Sequence, residues 1–112
     1  MNRDGLIIDE NGTKLWYLNG KFHRTDGPAI EHSNGTKYWF INGELHRTDG
    51  PAIEYTSGNK AWWVNDELHR TDGPAIEYSN GDKHWYINGE MLSQEEYLQK
   101  TRKNKLKELL SI

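Results

Sequence analysis

HRTDGPAIE, at residues 23–31, returns without a single change at residues 46–54 and 69–77 of this 112-residue chain. The sequence around this segment repeats with a period of 23 residues, and such a period decides the architecture of a chain. The copies read NGTKLWYLNGKFHRTDGPAIEHS (11–33), NGTKYWFINGELHRTDGPAIEYT (34–56), SGNKAWWVNDELHRTDGPAIEYS (57–79) and a shortened NGDKHWYINGEM (80–91). Residues 4–12, DGLIIDENG, resemble the end of a preceding unit.

Each unit carries the signals of three short strands separated by turns. Around the second unit the strands are predicted at residues 29–32, 37–41 and 44–47. Asn34-Gly35 and Asn42-Gly43 lie between them, and Asn-Gly is typical of two-residue hairpin loops because both residues need a positive φ. The link at residues 48–51, Thr-Asp-Gly-Pro, then turns the chain into the next unit. The fold predicted is all-β, an antiparallel meander of 23-residue hairpin repeats.

The turns also predict a register. Two-residue loops would place Ile30 opposite Trp39, and Trp39 opposite His46. Alternation then divides the unit into two faces. One face is expected to carry Ile30, Trp39, Ile41 and His46, and the other Glu31, Tyr38, Phe40, Leu45 and Arg47.

The end of the chain has a different pattern. Ser93 followed by Glu96 is a capping box, which marks a helix N-terminus. Four leucines approximate one helical face, namely Leu98, Leu106, Leu109 and Leu110. We predict a helix over residues 94–110 that covers the last unit, as terminal units of repeat arrays do. The predicted organisation is a β-repeat domain over residues 1–92 and an amphipathic capping helix over 93–112.

Charge is distributed unevenly between these two parts. Residues 1–92 hold nine Lys/Arg and fourteen Asp/Glu, a formal charge of −5, whereas residues 93–112 hold five and three, a charge of +2. The absence of cysteine excludes disulfides and thiolate metal sites and suits the cytoplasm, where we expect the protein to act. No apolar run is long enough to predict a transmembrane segment or a signal peptide.

The repeated pattern G-x-K-x-W-aromatic-x-N-G-x-x-H-R-x-D-G-P-A resembles the divergent MORN-like repeats of bacteriophages and giant viruses. The resemblance covers residues 4–92, and the ending NGEMLSQEEY is similar too. It implies hairpin repeats, a viral origin and therefore the host cytoplasm. MORN repeats are associated with phosphoinositide binding and membrane scaffolding, but the usual MORN glycine pattern is replaced here by HRTDGPA. Small phage proteins without cofactors often block a host protein, including host defence proteins.

The repeated His-Arg-x-Asp segment invites a metal or catalytic interpretation, which the spacing disfavours. Metal ligands lie about 2.0–2.2 Å from the ion. Equivalent positions in a three-strand repeat are about 14 Å apart, so His23, His46 and His69 cannot share one ion. No nucleophile is placed beside them by pattern. We therefore predict no metal, no cofactor and no enzymatic activity. The interpretation that we favour is structural, with His stacked or bonded beside Trp, Arg packed on a neighbouring ring and Asp bracing the turn.

Two further features favour structure over nucleic-acid recognition. Trp16, Trp39, Trp62 and Trp85 recur in every unit, as expected of a core ladder. Aromatic platforms for nucleic acids lie in positively charged grooves, whereas this body is acidic, so nucleic-acid binding is not expected.

The basic stretch at residues 100–107 is interpreted as the solvated half of the helix, where cations favour the dipole. Contact of that stretch with a membrane surface or a nucleic acid is the alternative.

The positions that differ between copies are the predicted binding site. They lie two apart in the second strand of each unit, on one face by alternation: Leu15, Tyr17, Tyr38, Phe40, Ala61, Trp63, His84 and Tyr86. Their neighbours, Phe22, Leu45, Leu68 and Met91, suggest that part of the row is core under the helix. Drift at exposed positions is the alternative to recognition.

We expect a non-enzymatic protein-binding module, such as a phage-encoded inhibitor of a host defence protein. A structural or membrane-associated scaffold of MORN type is the alternative function. Self-association through a sheet edge or the terminal helix also remains open.

Overall fold

A computed structural model describes residues 4–111 and confirms the predicted all-β architecture with one C-terminal helix. The described strands are short and antiparallel, most of them two residues long. They are β1 (Gly5–Ile8), β2 (Lys14–Leu18), β3 (Lys21–Phe22), β4 (Ile30–Glu31), β5 (Lys37–Tyr38), β6 (Phe40–Ile41), β7 (Glu44–Leu45), β8 (Ile53–Glu54), β9 (Lys60–Ala61), β10 (Trp63–Val64), β11 (Glu67–Leu68), β12 (Ile76–Glu77), β13 (Lys83–Ile87) and β14 (Glu90–Leu92). The helix, α1, is Gln94–Leu110.

Each unit contributes to two layers. In the second and third units the strand predicted over residues 37–41 and its equivalent break at Trp39 and Trp62, whereas β2 and β13 run unbroken through their tryptophans. β5, before the break, belongs to a ten-stranded sheet in the order β1-β2-β4-β5-β8-β9-β12-β13-β14, with β3 attached to β2. β6, after the break, pairs only with β7 in a separate hairpin. At the break, the backbone N–H of Trp39 donates to the carbonyl of Ala52, 2.7 Å away in the same unit. The second and third units therefore have four short strands each, whereas the first has the three predicted, β2, β3 and β4.

The hairpins form the second layer, joined by a pair of backbone hydrogen bonds at each junction. Gly43 N–H donates to the carbonyl of Phe22 (2.8 Å), and Arg24 N–H donates to that of Phe40 (3.2 Å). Equivalent pairs join the next hairpins, so the layer is continuous although its ladder is irregular. Each unit adds two strands to the main sheet. Neighbouring units are therefore about 10 Å apart, closer than the spacing expected from three strands.

The two predicted Asn-Gly turns behave differently. Asn42 and Gly43 have φ of 49° and 81°, as a two-residue type I′ loop requires, and His46 N–H donates to the carbonyl of Trp39 at 3.1 Å. This prediction is confirmed, together with its register. Asn34-Gly35, in contrast, was wrongly predicted as a two-residue loop.

The turn at Asn34-Gly35 is instead a loop of three residues, and it has the form of a type I turn followed by a bulge. Gly35 N–H donates to the carbonyl of His32 (2.8 Å), and His32 N–H donates to that of Thr36 (2.9 Å). Gly35 alone takes a positive φ, 97°, while the side chain of Asn34 accepts a hydrogen bond from Thr36 N–H at 2.9 Å. Because the loop holds one more residue, Ile30 lies opposite Tyr38 and not Trp39.

This register creates two ladders across the main sheet. On one face an isoleucine alternates with a residue that varies between units, in the order Leu15, Ile30, Tyr38, Ile53, Ala61, Ile76 and His84. On the other face lysine alternates with glutamate, in the order Lys14, Glu31, Lys37, Glu54, Lys60, Glu77 and Lys83. Opposite charges placed directly across a strand pair stabilise it by about 0.2–1 kcal/mol.

An arginine of the invariant segment covers the tryptophan of each full unit, an arrangement we call the Arg–Trp clasp. The guanidinium carbon of Arg47 lies 3.9 Å from the ring centroid of Trp39. Its Nε donates to Asp49 (2.9 Å), and its Nη1 donates to the carbonyl of Pro51 (3.0 Å) and to Glu54 (2.8 Å). Arg24 and Arg70 cover their tryptophans at 3.9 and 3.8 Å. Each described indole of the predicted Trp ladder in these units is therefore faced by an arginine of its own unit.

The clasp also explains the glycine and the histidine of HRTDGPAIE. A Cβ on Gly50 would lie 2.8 Å from the guanidinium carbon of Arg47, so only glycine lets the guanidinium pack against the turn. Nδ1 of His46 accepts a hydrogen bond from the backbone N–H of Asn65 in the next unit (3.1 Å), which fixes the imidazole proton on Nε2. The predicted packing of Arg on an aromatic ring is thus observed, and Asp49 holds that Arg at the turn, whereas the His side chain bonds the backbone of the next unit and not a tryptophan.

The helix is attached through its first turn. Ser93 and Glu96 form the predicted capping box. Tyr97 is 3% exposed, and its phenol donates to the carbonyl of Arg70 (2.7 Å) and accepts from Gly73 N–H (3.1 Å). The leucine face does not cover the sheet as expected, since its four members are 51–84% exposed. Of the predicted domain limits, residues 1 and 112 lie outside the described residues.

We expect Gly50→Ala to destabilise the protein by about 1–3 kcal/mol, because the new methyl group displaces the guanidinium of Arg47. Urea unfolding measures this loss. The control is the same substitution in an Arg47→Ala background, where the methyl group has no guanidinium to meet. A loss of equal size in both backgrounds would show that the clasp is not the reason for the glycine.

We expect Tyr97→Phe to lower the free energy of unfolding by about 1–3 kcal/mol, because the carbonyl of Arg70 and Gly73 N–H both lose their partner. Tyr78→Phe, at an exposed phenol, should change it by less than about 0.5 kcal/mol. Thermal unfolding of both variants checks the difference. Equal stability of the two would mean that the helix is not held by the phenol.

Candidate functional site

The eight residues of the predicted variable row are divided between the two layers. Four lie in the main sheet, each beside invariant isoleucines: Leu15, Tyr38, Ala61 and His84. Four lie in the hairpin layer: Tyr17, Phe40, Trp63 and Tyr86. These pair with the flanking residues named from the sequence, Phe22, Leu45, Leu68 and Met91. Ala61 is buried and the other seven are half-buried, so the row contributes to the core.

Aromatic rings pack continuously where the first two full units meet. Tyr17 stacks on Phe22 with centroids 4.8 Å apart, Phe22 lies 5.4 Å from Phe40, and Phe40 lies 6.4 Å from Tyr38. In the third unit, the indole N–H of Trp63 is buried without an acceptor among the described residues. Because it is buried, this indole N–H cannot donate a hydrogen bond to a binding partner. These hairpin residues therefore pack against one another, and their predicted role in binding stays a prediction.

The more exposed aromatic surface lies two positions beyond the isoleucines, at His32, Tyr55 and Tyr78, which occupy equivalent places in three units. Tyr55 and Tyr78 are 41% and 37% exposed. His32 meets Tyr38 edge-on at 5.6 Å, and Tyr78 meets His84 edge-on at 5.5 Å. We define the aromatic patch as these five residues. It joins two members of the predicted row to three residues that the sequence analysis did not select.

The sequence did contain a signal for these missed positions. His32, Tyr55 and Tyr78 follow the invariant Ile-Glu of their units and vary between copies, as the predicted row does. The assumption of a two-residue loop after His32 placed that residue on the face opposite Tyr38. The observed three-residue loop places it beside Tyr38 instead.

The phenols of the patch influence one another. Partial burial raises the pKa of Tyr55 above its usual value, and the nearby phenols of Tyr38 and Tyr78 raise it further. Tyr55 is therefore a neutral hydrogen-bonding group at physiological pH. The three phenols make no hydrogen bond to other described residues, which leaves their oxygen and hydrogen atoms available to a partner.

The acidic side chains of the invariant segment are committed to structure. A hydrogen bond from Arg47, together with the positive charge of that residue, lowers the pKa of Asp49 below its usual value. Within residues 4–111, no group of three or more His, Asp or Glu side chains is placed to hold a metal ion. The predicted absence of a metal and of catalysis stays a prediction.

No helix in the described part of the chain is both long and apolar enough to cross a membrane. No protein-family model matches the sequence, and no curated protein matches it. The resemblance to MORN-like repeats therefore remains a hypothesis based on the repeat pattern.

We expect the Tyr55 phenol to ionise above the usual range of tyrosine, about pH 10. The raised folded-state pKa means that this group stabilises the fold below the unfolded pKa and that the contribution is lost as pH rises through the folded pKa. Subtracting the ultraviolet titration of Tyr55→Phe from that of the unchanged protein isolates this phenol. Leu18→Ala, which changes an exposed residue outside the patch, is the control. A difference curve centred below about pH 10 would contradict the expected environment.

Proposed function

We propose that the chain is a non-enzymatic protein-binding repeat module whose contact surface is the aromatic patch. The observation that carries this proposal is the exposure of Tyr55 and Tyr78, with unpartnered phenols, on a sheet whose backbone is hydrogen-bonded on both sides. Tyrosines on a rigid support offer a large contact area and lose little conformational entropy on binding. Aromatic residues are accordingly enriched at protein interfaces.

The partner inferred is a protein with a basic or neutral surface. The β-repeat body carries a formal charge of −5, which disfavours acidic partners and nucleic acids. The resemblance to phage MORN-like repeats supports a host protein, such as a defence protein that the module inhibits in the host cytoplasm. The identification of the partner as a host defence protein depends on the viral origin of the family that the chain resembles, and not on a contact in the structure.

A second candidate function is a membrane-associated scaffold, and the exposed leucine face of α1 favours it. Leu106 and Leu109 are more than half exposed, and basic residues such as Arg102 and Lys105 lie beside them on the helix. An apolar stripe with basic flanks is typical of helices that lie on anionic membranes. Flotation with vesicles containing phosphatidylserine distinguishes the two functions, because a module that acts through the patch stays with the soluble fraction.

We expect Tyr55→Ala and Tyr78→Ala each to weaken partner binding by about 2 kcal/mol while the protein stays folded. The partner is first recovered from a bacterial lysate with the full chain, and its affinity is then measured for each purified variant. Leu18→Ala, at a residue of similar exposure outside the patch, is the matched control and should bind normally. Tyr38→Ala is less informative, because its ring lies between Ile30 and Ile53.

Normal binding by folded Tyr55→Ala and Tyr78→Ala would overturn the proposed surface. Variation along the row would then reflect drift between copies, and the partner would have to contact another part of the molecule.

A further inference from the structure

Tyr97 occupies a notch that occurs three times within residues 4–111. One wall of each notch is an HRTDG turn, and the other is the tryptophan of the following unit. Tyr97 enters the last notch, where its ring lies 6.4 Å from that of Trp85. Its phenol bridges the carbonyl of Arg70 and the N–H of Gly73, at 2.7 and 3.1 Å. Both atoms belong to the turn, so the turn recognises the hydroxyl group of a tyrosine.

The two preceding notches have the same backbone and are open. The first is formed around Gly27 and Trp39 and encloses about 510 Å³, and the second is formed around Gly50 and Trp62 and encloses about 530 Å³. In the described residues, the N–H groups of both glycines lack a hydrogen-bond partner. The carbonyl groups of Arg24 and Arg47, which match that of Arg70, also lack one.

We propose that the two open notches bind tyrosine side chains presented by a protein partner. Each phenol would donate to the arginine carbonyl and accept from the glycine N–H, as Tyr97 does in the last notch. This inference depends on the helix contact and not on the aromatic patch, so either proposal can fail alone.

The open notches differ from the last one in one respect. Ser93 stands at the position where the earlier units have arginine. No guanidinium of its own unit therefore covers Trp85, and the ring of Tyr97 packs beside its indole. In the open notches, Arg47 and Arg70 cover the indoles of Trp39 and Trp62. A tyrosine ring that enters there meets the indole edge and a guanidinium group, and cations attract aromatic rings.

The spacing of the notches sets the spacing of the tyrosines. Neighbouring notches are two strands apart, which is about 10 Å. A polyproline II segment has three residues per turn and a rise of about 3.1 Å, so residues i and i+3 lie on the same side about 9 Å apart. Tyrosines separated by two residues in such a segment can therefore enter both notches together, which raises the apparent affinity.

The test is a titration of the full chain with the peptide acetyl-Tyr-Pro-Pro-Tyr-amide, followed by NMR through the backbone amides. We expect saturable shifts at Gly27 and Gly50, and none at Gly73, where Tyr97 already occupies the notch. The matched control is acetyl-Phe-Pro-Pro-Phe-amide, which lacks the hydroxyl groups and should bind about tenfold more weakly. Equal binding of the two peptides, or no shift at either open notch, would overturn the proposal.

One variant separates the two notches within a single molecule. Thr25 is exposed and lines only the first open notch, so Thr25→Phe should abolish the response of Gly27 and leave that of Gly50. Thermal unfolding confirms that the variant is folded. An unchanged response of Gly27 in the folded variant would show that the peptide binds elsewhere, which also overturns the proposal.

Discussion

The Arg–Trp clasp is the interaction on which the rest of the structure depends. Only 34% of the residues are hydrophobic, and in the described residues no large side chain is fully buried. A chain of this kind has no thick core, so each tryptophan needs a cover other than a second apolar layer. The guanidinium group provides it, because its plane packs on the indole while its N–H groups satisfy the turn carbonyl and two carboxylates. One side chain thereby combines apolar packing with the polar connections of the unit.

The invariance of HRTDGPAIE follows from this geometry. The aspartate and glutamate are partners of the arginine, and the glycine leaves room for its guanidinium, while the carbonyl of the buried alanine accepts a hydrogen bond from the backbone N–H of the tryptophan of its own unit. The histidine connects one unit to the following hairpin through Nδ1. Six residue types of the segment, namely His, Arg, Asp, Gly, Ala and Glu, are thus constrained by a contact. The variable positions have no such constraint, which is why the candidate contact surface and the predicted row partly coincide at Tyr38 and His84.

Features governed by local chemistry were predictable from the sequence. The period, the turn at Asn42-Gly43 and the capping box at Ser93 all depend on residues close in the chain. The turn at Asn34-Gly35 was mispredicted although its contacts are local, because Asn and Gly also suit a three-residue loop, and the extra residue moves Ile30 by one register position. The role of Tyr97 was not predictable, since a lone tyrosine among charged residues gives no periodic signal. Its burial depends on Trp85 and the distant turn at Gly73, which only the folded chain brings together.

Because Tyr97 fills the last notch, the number of open notches follows from the number of HRTDG turns. An array closed by one tyrosine always has one open notch fewer than it has HRTDG turns, whatever its length. Because each unit makes its contacts within itself and with its immediate neighbour, duplication of 23 residues would extend the molecule without altering any existing contact. Such a duplication would add one notch and about 10 Å of length. Gene duplication can thus adjust the number of equivalent notches in whole steps, while the closing helix stays the same.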